Sequence, residues 1–210
     1  FRGCISTDGS VWFTANDGQI YGYQQNVDNF RNIKVLTPEQ VSSGLRLYCI
    51  TPIDEHIFLV SLSDNSVLSV NINSGNVKEL FDGHEDGKDA IVLDILAHDA
   101  DEYWIATDNG LYIHNRNTGG NTRYAHNYSD SFSLAGTNLR KLFKDDQNRI
   151  WIGTYFNGLS YFVSSTTEFY RNTPEDPEHS LKGLTVRSMC TDNAGNIWAA
   201  TEDGFLNRIS

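Results

Sequence analysis

The stretch Asp192-Asn193-Ala194-Gly195-Asn196-Ile197-Trp198-Ala199-Ala200-Thr201-Glu202-Asp203-Gly204-Phe205-Leu206 reads as a polar turn, a short apolar strand, a second turn and another apolar strand. An earlier copy runs Asp145-Asp146-Gln147-Asn148-Arg149-Ile150-Trp151-Ile152-Gly153-Thr154-Tyr155-Phe156-Asn157-Gly158-Leu159. Aligned on the core aromatic, the unit occurs five times, at Trp12, Phe58, Trp104, Trp151 and Trp198, at intervals of 46, 46, 47 and 47 residues. A small residue follows three positions later in each: Ala15, Ser61, Thr107, Thr154 and Thr201. Next comes a turn rich in Asn-Gly and Asp-Gly, which tolerate positive φ and mark hairpins.

Each complete unit holds four strand-like runs. The fourth has Leu139 to Phe143, Arg149 to Thr154, Leu159 to Phe162 and Thr167 to Tyr170; the first closes with Asn32 to Leu36. No three-turn amphipathic helix is visible, and only Thr37 to Gly44 and Glu175 to Gly183 have room for a single helical turn. Four-stranded units repeating at about 45 residues predict an all-β fold, a β-propeller of antiparallel blades. A lone blade cannot bury both faces, so blades pack on one another around an axis, with the Trp of the second strand between them. The expected blades are 1–44, 45–90, 91–137, 138–184 and, incomplete, 185–210. The constant interval argues against stacked Greek-key sandwiches.

Composition narrows the function. The chain has 210 residues, a formal net charge of -11 and no apolar run near the roughly 20 residues of a spanning helix. Nucleic acid and an anionic membrane surface are poor partners for such a charge. Cys4, Cys49 and Cys190 lack metal-binding spacing and are expected as buried small hydrophobes. Beginning at Phe1 rather than Met, the chain is expected to be a segment of something longer.

The linkers Asn127 to Asn138 and Asn172 to Thr185 are long and polar. Both contain Ser-Leu-x-Gly, at Ser133-Leu134-Ala135-Gly136 and Ser180-Leu181-Lys182-Gly183, each Ser 18 residues before its Trp. Long rim loops are where binding sites concentrate.

These residues resemble the two-component regulator propeller repeat, Val-x-x-Ile-x-x-Asp-x-x-Gly-Asn-Ile-Trp-Ile-Gly-Thr-x-x-Gly-Leu preceded by Ser-Leu-x-x-Asn. Val186 to Leu206 and Leu139 to Leu159 match it best; Val92 to Leu111 matches less well, and the first two units are degenerate. The resemblance implies the periplasmic sensor region of a hybrid two-component histidine kinase. There, two seven-bladed propellers precede a β-sandwich, a membrane helix and cytoplasmic modules, and glycan fragments control transcription of glycan-degrading genes. Seven blades need about 320 residues, so this chain is expected to be part of one propeller or a shortened sensor. Its partners are then an oligosaccharide, the remaining blades, the second propeller and β-sandwich, and a homodimer mate. No cofactor is expected.

The six His form no metal-ligand spacing. Asp82 to Asp89 has a calcium-loop beginning, but Leu93 stands where the bidentate Glu belongs, so a solvated acidic loop is expected. Asp145-Asp146 and Asp192 read as turn caps. No carboxylate pair is marked for glycoside hydrolysis, so this segment is expected not to be an enzyme. Alternatives are a protein-docking or dimerisation propeller and a propeller lyase or glycosidase.

A binding site is expected at the start of the first strands, where polar residues recur: Tyr48, Asp94, Arg140, Lys141 and Arg187. Arg140 and Arg187 occupy equivalent positions and would suit a carboxylate or sulfate, or else pair with the abundant acids. The Tyr155-Phe156 turn, read as one residue longer than its equivalents, offers aromatics beside Asn157 to stack on a sugar face or to pack under a neighbouring blade.

Overall fold

The computed structural model describes residues 3–84, 89–99, 101–163, 168–173 and 180–209. Residues 85–88 of the acidic loop, Thr167, and 174–179, which include His179 and most of the second expected helical turn, lie outside that range. The chain forms five antiparallel sheets, each a meander in chain order. The first contains β1 (Gly3–Ile5), β2 (Val11–Thr14), β3 (Gln19–Gln24) and β4 (Asn29–Lys34). The helix α1 (Pro38–Ser42) follows, and then β5 (Leu47–Pro52), β6 (Ile57–Leu62), β7 (Val67–Asn71) and β8 (Val77–Phe81) form the second sheet. The third contains β9 (Val92–Ala97), β10 (Glu102–Thr107), β11 (Gly110–Asn115) and β12 (Asn121–Tyr124). The fourth has β13 (Leu139–Lys144), β14 (Ile150–Thr154), β15 (Leu159–Phe162) and β16 (Phe169–Asn172). The last has β17 (Val186–Thr191), β18 (Ile197–Thr201) and β19 (Leu206–Ile209). These are the blades of a β-propeller. The chain divides into two compact units, Phe1–Ala97 and His98–Ser210.

Within the first unit, first strands pack side by side, β1 against β5 and β5 against β9. Trp12 is buried between sheets, its ring 5.1 Å from Phe58, in a core with Leu47, Ile50, Val60 and Val70. Gly22 lies opposite Trp12 in the ladder, and a Cβ there would fall 2.5 Å from the indole. Thr37 caps α1: its hydroxyl accepts from the Gln40 amide while the Gln40 side chain accepts from the Thr37 amide, a capping box ahead of Pro38.

Two expectations for this unit need correction. The residue equivalent to the repeat Trp in the second sheet is Leu59, not Phe58. The turn bond Ile53 N–H to Ile57 O corresponds to Asp145 to Arg149 and Asp192 to Asn196, which places Leu59 where Trp151 and Trp198 stand. A one-residue slip exchanges the faces of a strand. Phe58 therefore meets Trp12, and Leu59 is buried on the opposite face. The last strand of the first sheet is Asn29–Lys34, three residues earlier at its start than expected. Val35 and Leu36 leave the ladder and donate their amides to Gly18 O, each at 3.0 Å, burying their side chains beneath the hairpin.

Within the second unit, Trp104 is buried against Phe162, 5.1 Å away, and Phe169, 6.4 Å away, both in the next sheet. Trp151 shares a core with Val186, Met189, Ile197 and Ala199 of the last sheet. Gly153 gives these sheets room: a Cβ there would sit 2.8 Å from Val186. Trp198, on the last sheet of the chain, is only half-buried.

The turns before these Trp residues are built by aspartates. Asp145 Oδ1 accepts the amides of Gln147 and Arg149, while Oδ2 accepts the Trp151 indole N–H at 2.8 Å and Arg149 Nε at 2.6 Å. Asp192 repeats the device with the Ala194 and Asn196 amides and the Trp198 indole, again at 2.8 Å. Burial pushes the Asp145 carboxyl up, but the hydrogen bonds from Trp151 and Arg149 outweigh it and hold the group below the ordinary carboxylate range. Asp192 is held low chiefly by Trp198 and then by Asn196. The indole thus joins the turn to the space between sheets.

The cysteines divide. Cys49 is buried and Cys4 half-buried, and burial, with Cys49 nearby, pushes the Cys4 thiol up to about 12. Cys190 is exposed, contrary to expectation, because it stands on the half-covered face of the last sheet, opposite Trp198 in the ladder.

Candidate functional site

The polar positions expected to bind share a structural origin. The ladder register shifts between Leu47 and Cys49, between Leu139 and Lys141, and between Val186 and Ser188. Tyr48, Arg140 and Arg187 are therefore the bulged residues of three first strands. A bulge re-aims its side chain and is a frequent device at sites. Tyr48, in the first unit, is exposed; Asp94, on β9, is buried.

The second unit brings most of the others together. The Arg140 guanidinium lies over the Tyr155 ring, 4.3 Å from its centre, and its buried Nε makes no hydrogen bond. Tyr155 and Phe156 touch, with ring centres 4.0 Å apart. Arg187 does not join Arg140 on a common anion: its Nη2 pairs with Glu202 Oε1 at 2.6 Å. Tyr155, Phe156, Leu184, Thr185, Glu202 and Asp203 line a depression of about 250 Å³. Two carboxylates in that wall disfavour the carboxylate or sulfate expected there.

The Tyr155-Phe156 turn is one residue longer than that of the third sheet, where Thr107 pairs with Gly110, but no longer than the other three. Thr154 N–H to Gly158 O closes the same span as Ala15 to Gln19, Leu62 to Ser66 and Thr201 to Phe205. What differs is its conformation. In those turns the fourth residue, Gly18, Asn65 or Gly204, has positive φ; here the third and fifth do, Phe156 at 86° and Gly158 at 77°. Left-handed backbone is rare for a bulky residue and costs about 1–3 kcal/mol. It is held by the Phe156 amide donating to Leu184 O at 3.0 Å and by a bridge pairing Tyr155 with Thr185. The strain presents Phe156 with 54% of its surface exposed.

The Ser-Leu-x-Gly linkers brace these turns. Leu134 and Leu181 are buried, and the amides of Ala135 and Lys182 donate to Ser160 Oγ and Asn207 Oδ1, both at 2.8 Å. Gly136 and Gly183 leave space for the hairpin turn: a Cβ would meet Asn157 Oδ1 at 2.6 Å in one and Thr201 Oγ1 at 2.3 Å in the other.

Phe156 also lines a second hollow, of about 320 Å³, with His126, Tyr128, Asn157, Arg171 and Thr173. Sequence reasoning missed His126 and Arg171, which stand 45 residues apart on a linker and a last strand. The Ser133 motif was the available signal, because Ser133 holds both ends of that loop.

Potential metal ligands also meet in this unit. His98, Asp99 and Glu102 bring their ligating atoms within 4.8 Å of one another. Asp99 Oδ1 already accepts the Asp101 and Glu102 amides, and Glu102 accepts the Trp104 indole at 3.4 Å. The group does the turn-capping work of Asp145 and Asp192. Among the described residues, no helix is long and apolar enough to cross a membrane.

Comparison with known proteins agrees with this geometry. Residues 133–156 and 180–203 match the two component regulator propeller family, the two copies that carry Ser-Leu-x-Gly and the indole clasp. No curated protein sequence matches the chain at a significant level. The fold is similar to the extracellular domain of BT3049, assigned to a hybrid two component system of B. thetaiotaomicron. That likeness has a TM-score of 0.76 and 19% identity over 100% of this chain and 26% of the other. The extracellular domain of BT4673, assigned likewise in the same organism, gives 0.68 and 22% identity over 99% of this chain and 25% of that one. The WD40 propeller of Doa1 gives 0.70 and 12% identity over 97% and 61%. The chain thus spans about a quarter of the two extracellular domains. Two of its segments match the two component regulator propeller family, and its fold is that of a β-propeller.

Proposed function

We propose that this chain, a propeller built from two-component regulator repeats, is a ligand-sensing segment of a hybrid two-component sensor that binds an oligosaccharide without altering it. The observation that carries the reading is Phe156. An exposed aromatic that lines two hollows is held in left-handed backbone, within a segment matching the family. Strain of this kind persists where the surroundings impose it, and it clusters at binding sites. The hollows combine aromatic faces with carboxylate, amide and hydroxyl groups, a composition suited to a ligand with apolar C–H faces and a rim of hydroxyls. The parent protein is a histidine kinase with its sensor in the periplasm, and the output is transcription of polysaccharide-utilisation genes. Further blades, a second propeller and a β-sandwich complete that sensor, and a homodimer transmits the signal.

Thermal-shift measurement of the chain against a panel of plant and host oligosaccharides, followed by chromatography of each mixture, tests this. One sugar class should raise the midpoint by several degrees and be recovered intact; ligand at about 100 times its Kd adds about 2.7 kcal/mol. Shortened sugar products would replace sensing with catalysis. A panel without any stabiliser would leave a docking propeller as the better reading.

A further inference from the structure

We infer that the hollow lined by Tyr128 and Phe156 is a subsite for an oxyanion carried on a ring, with Arg171 as its anchor. Arg171 is the fixed point. Its Nε donates to Ser133 O at 2.7 Å, and its Nη2 donates to Asp130 O at 2.6 Å and to Ser133 Oγ. All three acceptors are neutral. Among the described residues no carboxylate pairs with this guanidinium, and its Nη1 has no protein hydrogen bond. The Asp130 carboxylate is used elsewhere, accepting the Phe132 amide at 2.9 Å. Arg149 and Arg187, in the same unit, are by contrast neutralised by Asp145 and Glu202. With Nε and both Nη2 hydrogens taken, the two Nη1 hydrogens of a guanidinium that no described carboxylate neutralises are left to donate to an oxyanion.

The loop that holds it is itself locked. Ser133 Oγ accepts the Asn127 amide at 2.9 Å, and His126 Nδ1 meets Leu134 O at 2.6 Å. A carbonyl oxygen only accepts, so Nδ1 carries the proton and Nε2 is left for another partner. Tyr128 stands against the His126 ring, 4.5 Å away and nearly perpendicular, with 96% of its surface exposed. Phe156 lines the same hollow, with Asn157 and Thr173 supplying an amide and a hydroxyl. Two exposed aromatics and a cation lining one hollow fit a ring bearing a carboxylate or sulfate. Arg171 thus takes the role expected from sequence for Arg140 and Arg187. That the ring is a sugar rests on the function proposed above; that the ligand bears an oxyanion does not.

Calorimetric titration tests the subsite with four probes: a galacturonate disaccharide, its neutral galactose counterpart, a sulfated galactose disaccharide and p-hydroxybenzoate. At least one oxyanion probe should bind ten-fold or more tighter than the neutral sugar, and carboxylate against sulfate identifies the group. R171Q should abolish that margin and leave the weak affinity for the neutral sugar unchanged. Y128A, altering a side chain almost wholly in solvent, should weaken every ring-bearing probe while the fold, by circular dichroism, stays intact. Should R171Q fail to fold, loss of affinity in Y128A still carries the test. Equal affinity for acidic and neutral sugars, or a preference surviving R171Q, overturns the oxyanion and leaves the sugar reading standing. Binding of p-hydroxybenzoate alone upholds the oxyanion and removes the sugar. Silence from all four probes overturns the subsite.

Discussion

Replacing Trp151 by alanine, and separately Trp198, distinguishes packing between sheets from packing within one. Trp151 is 2% exposed and sits in a core drawn from two sheets. An indole buries about 150–250 Å², worth about 4–6 kcal/mol at about 25 cal/mol/Å². Measured losses for Trp or Phe to Ala in cores run about 3–5 kcal/mol. W151A also strips the buried Asp145 of its 2.8 Å indole donor, so a loss of about 4–5 kcal/mol is expected. Trp198 makes the same bond to Asp192, but is only half-buried; W198A should cost about 2–3 kcal/mol. Urea unfolding followed by far-ultraviolet circular dichroism reads both without relying on the deleted fluorophore. Equal losses, or a loss below about 1 kcal/mol for W151A, would refute the claim that each indole is completed by the next sheet.

Three further outcomes are expected. G153A would press a methyl into Val186, 2.8 Å from its ideal position, and should cost about 1–3 kcal/mol in the same assay. F156G should relieve the left-handed strain and stabilise the chain by about 1 kcal/mol while weakening ligand binding in the thermal-shift assay, so a stability loss would contradict the strain. Asp145 and Asp192 have folded pKa values below their unfolded ones. Their stabilisation is therefore complete above about pH 4 and lost as pH falls through the folded values. Denaturation between pH 5 and about 2 should show this, with D145N and D192N flattening the slope.

Most of the fold was legible because the repeat states it five times: turn, indole, hairpin. The errors have a physical pattern. Ile57-Phe58-Leu59-Val60 is apolar throughout, since β6 is buried on both faces, and period-two alternation disappears in such a strand. The aromatic was the natural anchor, yet it stands one residue from the equivalent position. Val35 and Leu36 drew the end of β4 forward although they bury beneath the hairpin. At the site, recurrence located Arg140 and Arg187, but only the bulge decides where their side chains go. Arg171 could not be read because its environment comes from a loop some 40 residues earlier in the chain. The strain at Phe156 is a backbone property that no residue type announces.

The most direct test of the architecture is a nuclear Overhauser spectrum of the chain with labelled methyls and assigned indoles. Trp151 should show cross-peaks to methyl groups of Val186, Met189 or Ile197, and Trp104 to the rings of Phe162 and Phe169. An indole of Trp104 or Trp151 that sees only residues of its own sheet, or methyls of a sheet that does not follow it, would contradict the stacking of blade on blade.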